Sequence, residues 1–494
     1  MHRDLGRLTE REHDVLVIGG GIHGAAVAWD AAQRGLAVAL VEAADFGSGT
    51  SWNSLKTIHG GLRHLPRADL ASLRESTRER AALMRIAPAL VRPLPFLLPL
   101  YGHGLHGPEA MAAALFAADL LSARANDGLP ASQHIPPSRV LSPEEVRARA
   151  PGVAVQGLTG GASWTDAQVE SSERLLLGFL HAAADAGAAL ANRVEVAALR
   201  RRDGRIAGAL VLDREGGGTL EVRSRMVVSA AGPWNDRLGA SAGIARRPAP
   251  LLRAVNLVLR RCIVDRDALG GRGEGRYLFM VPWRDRCMVG TGYEPAGAPG
   301  GDGGIGALLA EARRAFPWAG IEKSDVTLVH RGFVPGHGGA GGLLTRGRVV
   351  DHEAEDGLPG LCSVRSVKYT TARASAEAAI DLVVRRLGRS APPCRTAITP
   401  LPRARPLEGT LADRARLAAR DEMALRLTDA VLRRLDVGTV GAPAPEDVEA
   451  VAKSMAAELG WDAARVEREK AALGAAYAAD GSVRDDGPLP PDAT

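Results

Sequence analysis

Cysteine is scarce in this chain: four occur among 494 residues, at Cys262, Cys287, Cys362 and Cys394. They stand far apart, without a CxxC or a ligand-like spacing. That excludes a disulfide scaffold and a zinc knuckle, and reads as reduced thiols of a cytosolic protein. Lysine is nearly as rare, with Lys56, Lys323, Lys368, Lys453 and Lys470 alone, so the positive charge is almost all arginine. The 62 basic and 57 acidic residues leave a net charge of +5. It is scattered rather than gathered into a stripe, which excludes a nucleic-acid binder and leaves room for an anionic small molecule. A long apolar run is also missing. The longest uncharged stretch, "PLPFLLPLYGHGLHGP" after Arg92, is broken by proline and glycine, which a lipid-exposed helix tolerates poorly. The start "MHRDLGRLTEREHDVLVIGG" carries no apolar core of a secretory signal, so a cytoplasmic protein is expected. Peripheral contact with the inner face of the cell membrane and a homodimer are both compatible with the sequence. No histidine or cysteine pair has metal-ligand spacing, so no metal is expected.

What is present is glycine, and its placing is informative. "VLVIGGGIHGAAVA", residues 15–28, is a buried-strand pattern that collapses into glycines and resumes as an alanine-rich helix. Gly19, Gly21 and Gly24 form GxGxxG, and Glu42 follows at the end of a second strand, "AVALVE". The first glycine permits the tight turn, the second lets a pyrophosphate approach the backbone, and the third lets helix and strand pack closely. The helix N-terminus offers free N–H groups to that pyrophosphate, and Glu42 would take the ribose hydroxyls. A polar, glycine-containing loop, "FGSGTSWNSLKTIHGGLRHL", comes directly after and suits FAD better than NAD. "MVVSAAGPWND" ends a strand in small residues, where backbone would pass a flat ring. "SVRSVKYTTARASAEAAIDLV" runs from a strand into a helix beginning near Thr371, whose N-terminus would stabilise charge on a reduced flavin.

The fold class these patterns imply is mixed α/β (α+β): a Rossmann-like FAD domain, an interleaved antiparallel-sheet substrate domain and a C-terminal helical domain. The oxidoreductase part is expected over 1–395, with flavin-binding pieces at about 12–92, 152–250 and 343–392. The substrate pieces then fall at about 93–151 and 251–342. A helical domain is expected over 403–481, after a proline-rich boundary, and a disordered tail over 482–494.

The chain resembles the FAD-dependent glycerol-3-phosphate dehydrogenases, within the D-amino-acid-oxidase-like flavoproteins. The resemblance runs almost end to end, through "KTIHGGLRHL", "RPLPFLLPLY", "GGASWTDAQVESSERL", "LLTRGRVVDH", "VKYTTARASAE" and "DEMALRLTDAVLRR". It implies oxidation of a phosphorylated secondary alcohol, glycerol 3-phosphate to dihydroxyacetone phosphate, with electrons passing to a quinone or oxygen. It also implies that Ser54, Lys56, His59, Gly60, Gly61 and Leu62 lie along the flavin. Thr50, Ser51, Val196, Ala231, Gly232, Trp234, Tyr369 and Thr370 would complete the cofactor surface. Arg63 and Arg346 would hold the substrate anion, guanidinium forks being suited to phosphate. Lys368 would touch substrate or flavin edge, and His64 or His59 would accept the proton. Four residues at three places depart from the family pattern. His64 stands where a tyrosine is usual, Val334 where a further phosphate-binding arginine is, and Ser366–Val367 where a glycine pair precedes the lysine. Arg331, three residues before Val334, would face the other side of a strand. These departures keep open an oxidase of amines, amino acids or hydroxy acids on the same fold.

Overall fold

The computed structural model describes residues 1–104, 107–245, 248–297, 304–337, 342–343 and 346–478; the side chains of Arg63, Pro66, Arg67, His337, Gly342, Leu343 and Ala478 are not described. The tail expected over 482–494 lies outside the described residues, as does the side chain of Arg63.

The order of the main elements is β1 (His13–Ile18), α1 (Ile22–Gln33), β2 (Val38–Val41), α2 (Leu70–Ile86), β3 (Val91–Tyr101), α3 (Pro108–Leu121) and β4 (Leu158–Val169). Then come α4 (Ser172–Asp185), β5 (Thr219–Ser229), β6 (Leu251–Leu259), β7 (Arg286–Pro295), β8 (Val326–His337), β9 (Leu361–Arg365) and α5 (Ala372–Leu387).

From Val15 to Ile18 β1 is apolar because both of its faces are covered. It lies between β2 and β5, parallel to both, in register Val17↔Leu40 and Val17↔Val228. β9 continues the parallel order beyond β5, and Arg348–Asp351 closes that edge antiparallel. Helices α1, α4 and α5 cover one face, with Trp29 set edge-on against Phe179. The hairpin Val194–Arg202 and Arg205–Asp213 extends from β5 and helps cover the other face. Each fully buried Val or Leu of this layer contributes about 1.5–3 kcal/mol through lost water contact.

The second sheet is antiparallel except for one parallel pairing, Leu269↔Leu97. It runs from β8 through β6 and β7 to β3 and β4, and ends on the short strand Thr57–Ile58. Residues 158–169, expected within the flavin-binding piece 152–250, form β4, which pairs with β3 along its length in the second sheet. Thr57–Ile58 also joins that sheet, so the loop after Glu42 physically bridges the two layers.

The C-terminal part has helices at Leu411–Asp421, Leu427–Arg433, Pro445–Leu459 and Ala463–Ala478. The first opens with a capping box between Thr410 and Asp413. The stretch "LAARDEMALRLTDAVLRRL" is divided at residues 422–426, where Met423 takes a left-handed backbone, φ +54°. Among the described residues no helix is long and apolar enough to cross a membrane.

Candidate active site

The glycine turn after β1 is built as the spacing requires. Gly19 has φ +106°, and a Cβ there would lie 2.6 Å from the Ala230 carbonyl oxygen. A Cβ on Gly24 would lie 1.8 Å from the Gly19 carbonyl oxygen, so α1 can pack this closely only without one. Gly21 caps α1 in an extended conformation with no side-chain bond, and the Ile22 N–H donates to Ser51 Oγ at 3.0 Å. The Glu42 carboxylate accepts the Gly20 N–H at 2.6 Å and the Ala44 N–H at 2.8 Å. Burial pushes its carboxyl up, against those two hydrogen bonds.

The loop that follows is pinned between the sheets. Thr50 Oγ1 donates to the Phe333 carbonyl at 2.6 Å, Trp52 Nε1 to the Ser48 carbonyl at 2.9 Å, and the Lys56 N–H to Ser54 Oγ at 3.3 Å. The Lys56 side chain requires a correction to the expected flavin contact. Its backbone is left-handed, φ +59°, and its fully buried ammonium donates to Glu173 at 2.6 Å, Ser172 at 2.8 Å and the Trp52 carbonyl at 2.8 Å. The charge is committed to an internal ion pair. Burial would raise the Glu173 carboxyl, but Lys56 holds it below the usual carboxylate range. Tyr369 also points inward, donating to the Ser172 carbonyl at 2.7 Å. Val196 lies on the hairpin that flanks β5, packed at the edge of the core.

Opposite the glycine turn, β5 ends in the turn Gly232–Trp234. Asn235 Oδ1 accepts the Ala231 N–H at 3.1 Å and the Ser229 hydroxyl at 2.5 Å. The Trp234 indole N–H is buried without a hydrogen-bond partner among the described residues. Its ring faces Gly49, whose Cβ would sit 3.7 Å away. A backbone cradle closed to side chains, with a buried donor left over in the wall facing it, fits a dinucleotide with an extended ring system.

His59 to Leu62 leave the cradle toward the second sheet. A Cβ on Gly60 would fall 2.2 Å from Arg80 Nη1 and 2.8 Å from Asp166 Oδ1; Gly61 has φ +94° and passes close to Leu73. The glycine pair therefore has a packing cause in addition to any cofactor contact. His59 Nδ1 lies 3.2 Å from Asp166 Oδ2, and Asp166 Oδ1 accepts the Gly60 N–H at 2.7 Å and Arg80 Nη1 at 2.9 Å. Burial would raise the Asp166 carboxyl, but the bond from His59 and the charge of Arg80 hold it below the usual range. The His59 N–H donates to Thr370 Oγ1 at 3.3 Å. Asp166 and Arg80 went unnoticed in the sequence. The available signal was a lone aspartate inside "GGASWTDAQV", a strand otherwise without charge.

A second cluster begins five residues after His59. Lys368 Nζ lies 3.0 Å from Nε2 of the buried His64, and His64 Nδ1 lies 3.9 Å from Asp69. Asp69 in turn pairs with Arg346, whose Nε donates to Ser72 Oγ at 3.0 Å. Hydrogen bonds from Ser72 and Arg346 hold the Asp69 carboxyl well below the usual range. Arg63 is on the same short turn, Leu62–Arg67. Residues from three distant segments, 64–72, 346 and 368, thus join in one chain of contacts, Arg346–Asp69–His64–Lys368, and Thr370, two residues after Lys368, accepts the His59 N–H. Val334 is buried, while Arg331, at an odd separation on β8, faces the other side.

A dinucleotide cradle that opens onto histidines and cationic side chains defines a flavin-dependent oxidoreductase. The chain belongs to the FAD dependent oxidoreductase family, matched over residues 14–382, in the group of the glycerol-3-phosphate dehydrogenases. FAD is its cofactor. Residues 396–466 match the C-terminal domain of alpha-glycerophosphate oxidase. The glycerol-3-phosphate dehydrogenase of Synechocystis sp. is 32% identical over 422 residues, covering 81% of this chain and 75% of that protein. That of Mycobacterium leprae is 33% identical over 389 residues, 76% of this chain and 64% of that longer protein. The glycerol-3-phosphate dehydrogenase from Bacillus halodurans, solved with FAD, superposes with a TM-score of 0.72 at 22% identity over 95% of each chain.

Proposed function

We propose that the enzyme oxidises glycerol 3-phosphate, or a closely related phosphorylated secondary alcohol, to the ketone. FAD, when bound, supplies the two-electron oxidant for the carbinol carbon. The observation that carries the reading is the contact chain Arg346–Asp69–His64–Lys368, built on the segments that flank His59 and its partner Thr370. Arg346 and Lys368 bring positive charge from two chain segments to one place, as a doubly charged phosphate requires. Arg63, on the same turn as His64, is the expected third cation.

The two histidines have different tasks in this reading. The Lys368 ammonium can only donate, so His64 Nε2 accepts from it and is engaged. His64 then orients Lys368 and contacts the substrate. His59 presents its outer ring nitrogen, Nε2, to the hydroxyl and takes the proton. Of the two histidines the sequence offers as the base, the role therefore falls to His59.

Electrons leave to a quinone or to oxygen. A quinone acceptor would bring the enzyme to the inner face of the cell membrane, and Phe116 and Leu120 on α3, both largely exposed, are suited to that contact. Anaerobic mixing with glycerol 3-phosphate tests the main reading: the flavin absorbance bleaches within the turnover time. Bleaching by an amino acid, with none by glycerol 3-phosphate, would replace it with an amine-oxidising activity.

A further inference from the structure

We infer that Asp166 is the positioning residue that keeps His59 in one tautomer, with Nδ1 protonated and Nε2 bare toward the substrate. The argument starts from the carboxylate. Asp166 is 3% exposed and receives two donors besides the ring, the Gly60 N–H and Arg80 Nη1, and Arg80 is itself held by donating to the Thr165 carbonyl at 2.8 Å. Held ionised by that set, it has no proton to give and can only accept. His59 Nδ1, 3.2 Å from Oδ2, must therefore carry the hydrogen. A neutral imidazole with Nδ1 protonated has its lone pair on Nε2.

The arrangement also fixes the ring's direction. The His59 backbone is held by Thr370, its Nδ1 edge by Asp166, and its ring centre lies 6.2 Å from that of Phe96, with the planes tilted by 53°. The imidazole is about one third exposed, so its remaining edge has room for a ligand. The charged and titratable groups around it are Asp166 on β4, Arg80 on α2, and the Lys368–His64 pair reached through the Thr370 segment. Among the described residues Asp166 is the one bonded directly to the ring. It stabilises the imidazolium that forms when the substrate hydroxyl gives up its proton, while Arg80 keeps Asp166 from taking that proton itself.

The role in proton transfer rests on the proposed alcohol oxidation; the tautomer does not. Two sets of measurements separate them. Histidine labelled with 13C and 15N in the FAD-loaded enzyme reports the ring state directly, with H59N assigning the signal. The His59 signal is expected in the Nδ1–H form at neutral pH, and in D166N it moves toward the Nε2–H form. An Nε2–H signal in the unaltered enzyme, or an unchanged signal in D166N, overturns the inference. Because the unaltered enzyme alone decides the tautomer, a poorly folding D166N does not rescue it.

Steady-state kinetics on the alcohol that bleaches the flavin supply the second set. D166N is expected to lower kcat by about 10²-fold while KM changes little, with flavin content unchanged. In an H59N background the same substitution should cost nothing further. A full additional loss in H59N means Asp166 acts elsewhere and overturns the positioning role. If no alcohol bleaches the flavin but the tautomer is as stated, the proposed reaction fails and the residue assignment stands.

Discussion

Lys368 and His64 are 304 residues apart in sequence and 3.0 Å apart in space. Removing the ammonium takes away a substrate cation and releases the ring it holds. Lys368→Met is expected to raise KM for glycerol 3-phosphate about 10- to 100-fold, the worth of a hydrogen bond to a charged group. Flavin content should not change, because the lysine does not support the cradle. Steady-state kinetics with the absorbance ratio of flavin to protein check both points.

Arg346 is answered by Asp69 in the free enzyme. Arg346→Ala should raise KM by a similar factor with flavin retained. Asp69→Asn, by contrast, leaves the cation in place and removes the carboxylate that competes with the substrate phosphate for it. Its KM should fall or hold while that of Arg346→Ala climbs. A rise of equal size in both variants would mean that Asp69 chiefly orients the arginine.

Gly24→Ala puts a methyl group 1.8 Å from a backbone carbonyl that cannot move without shifting β1 or α1. Glu42→Ala removes the acceptor for two loop N–H groups. Each variant should copurify with less flavin, seen as a lower visible absorbance per protein. Added FAD should restore colour more readily to Glu42→Ala, because its backbone path is intact.

The C-terminal helices are held to the flavin domain by buried charge. Asp45, three residues after Glu42, bonds Arg433 at 2.6 Å and Arg434 at 2.7 Å, and Glu422 bonds Arg174 at 2.6 Å. Burial would raise the Glu422 carboxyl, but Arg174, His181 and Arg434 bring it down to about 2. A carboxyl depressed in the fold stabilises it above the unfolded value, and that contribution is lost as pH falls through the folded one. Glu422→Gln should therefore cost about 3 kcal/mol at neutral pH, with the deficit shrinking from about pH 4.5 down to about pH 2. Denaturant unfolding at several pH values measures it.

Breaking the Lys56–Glu173 pair from one side leaves a fully buried charge. Lys56→Met is expected to lose about 3–5 kcal/mol and to lower the melting temperature. Because this pair anchors the loop between the two sheets, flavin retention should fall with it. Calorimetry and the bound-flavin ratio are the measurements.

Local chemistry was readable directly from the chain. The turn at Gly19, the close packing at Gly24, the strand before them and the helix starting near Thr371 follow from backbone sterics, and sterics act between near neighbours. The interleaving of two sheets was also legible from the alternation of patterns, although the sequence of β4 did not say which sheet it joins. A strand's own residues tell how it is buried, and they do not name its partner.

By itself, then, the amino-acid order determined a dinucleotide cradle, its flavin-type loop and the rarity that made Lys56 and Lys368 worth following. Tertiary structure alone decided what those two lysines do, sending one into an internal pair with Glu173 and the other to His64. It alone brought Asp166 and Arg80 to His59, and Asp69 to Arg346. The reason is physical. A side chain's charge is balanced by whatever stands within a few ångströms, and in this fold those partners come from segments about a hundred or more residues away.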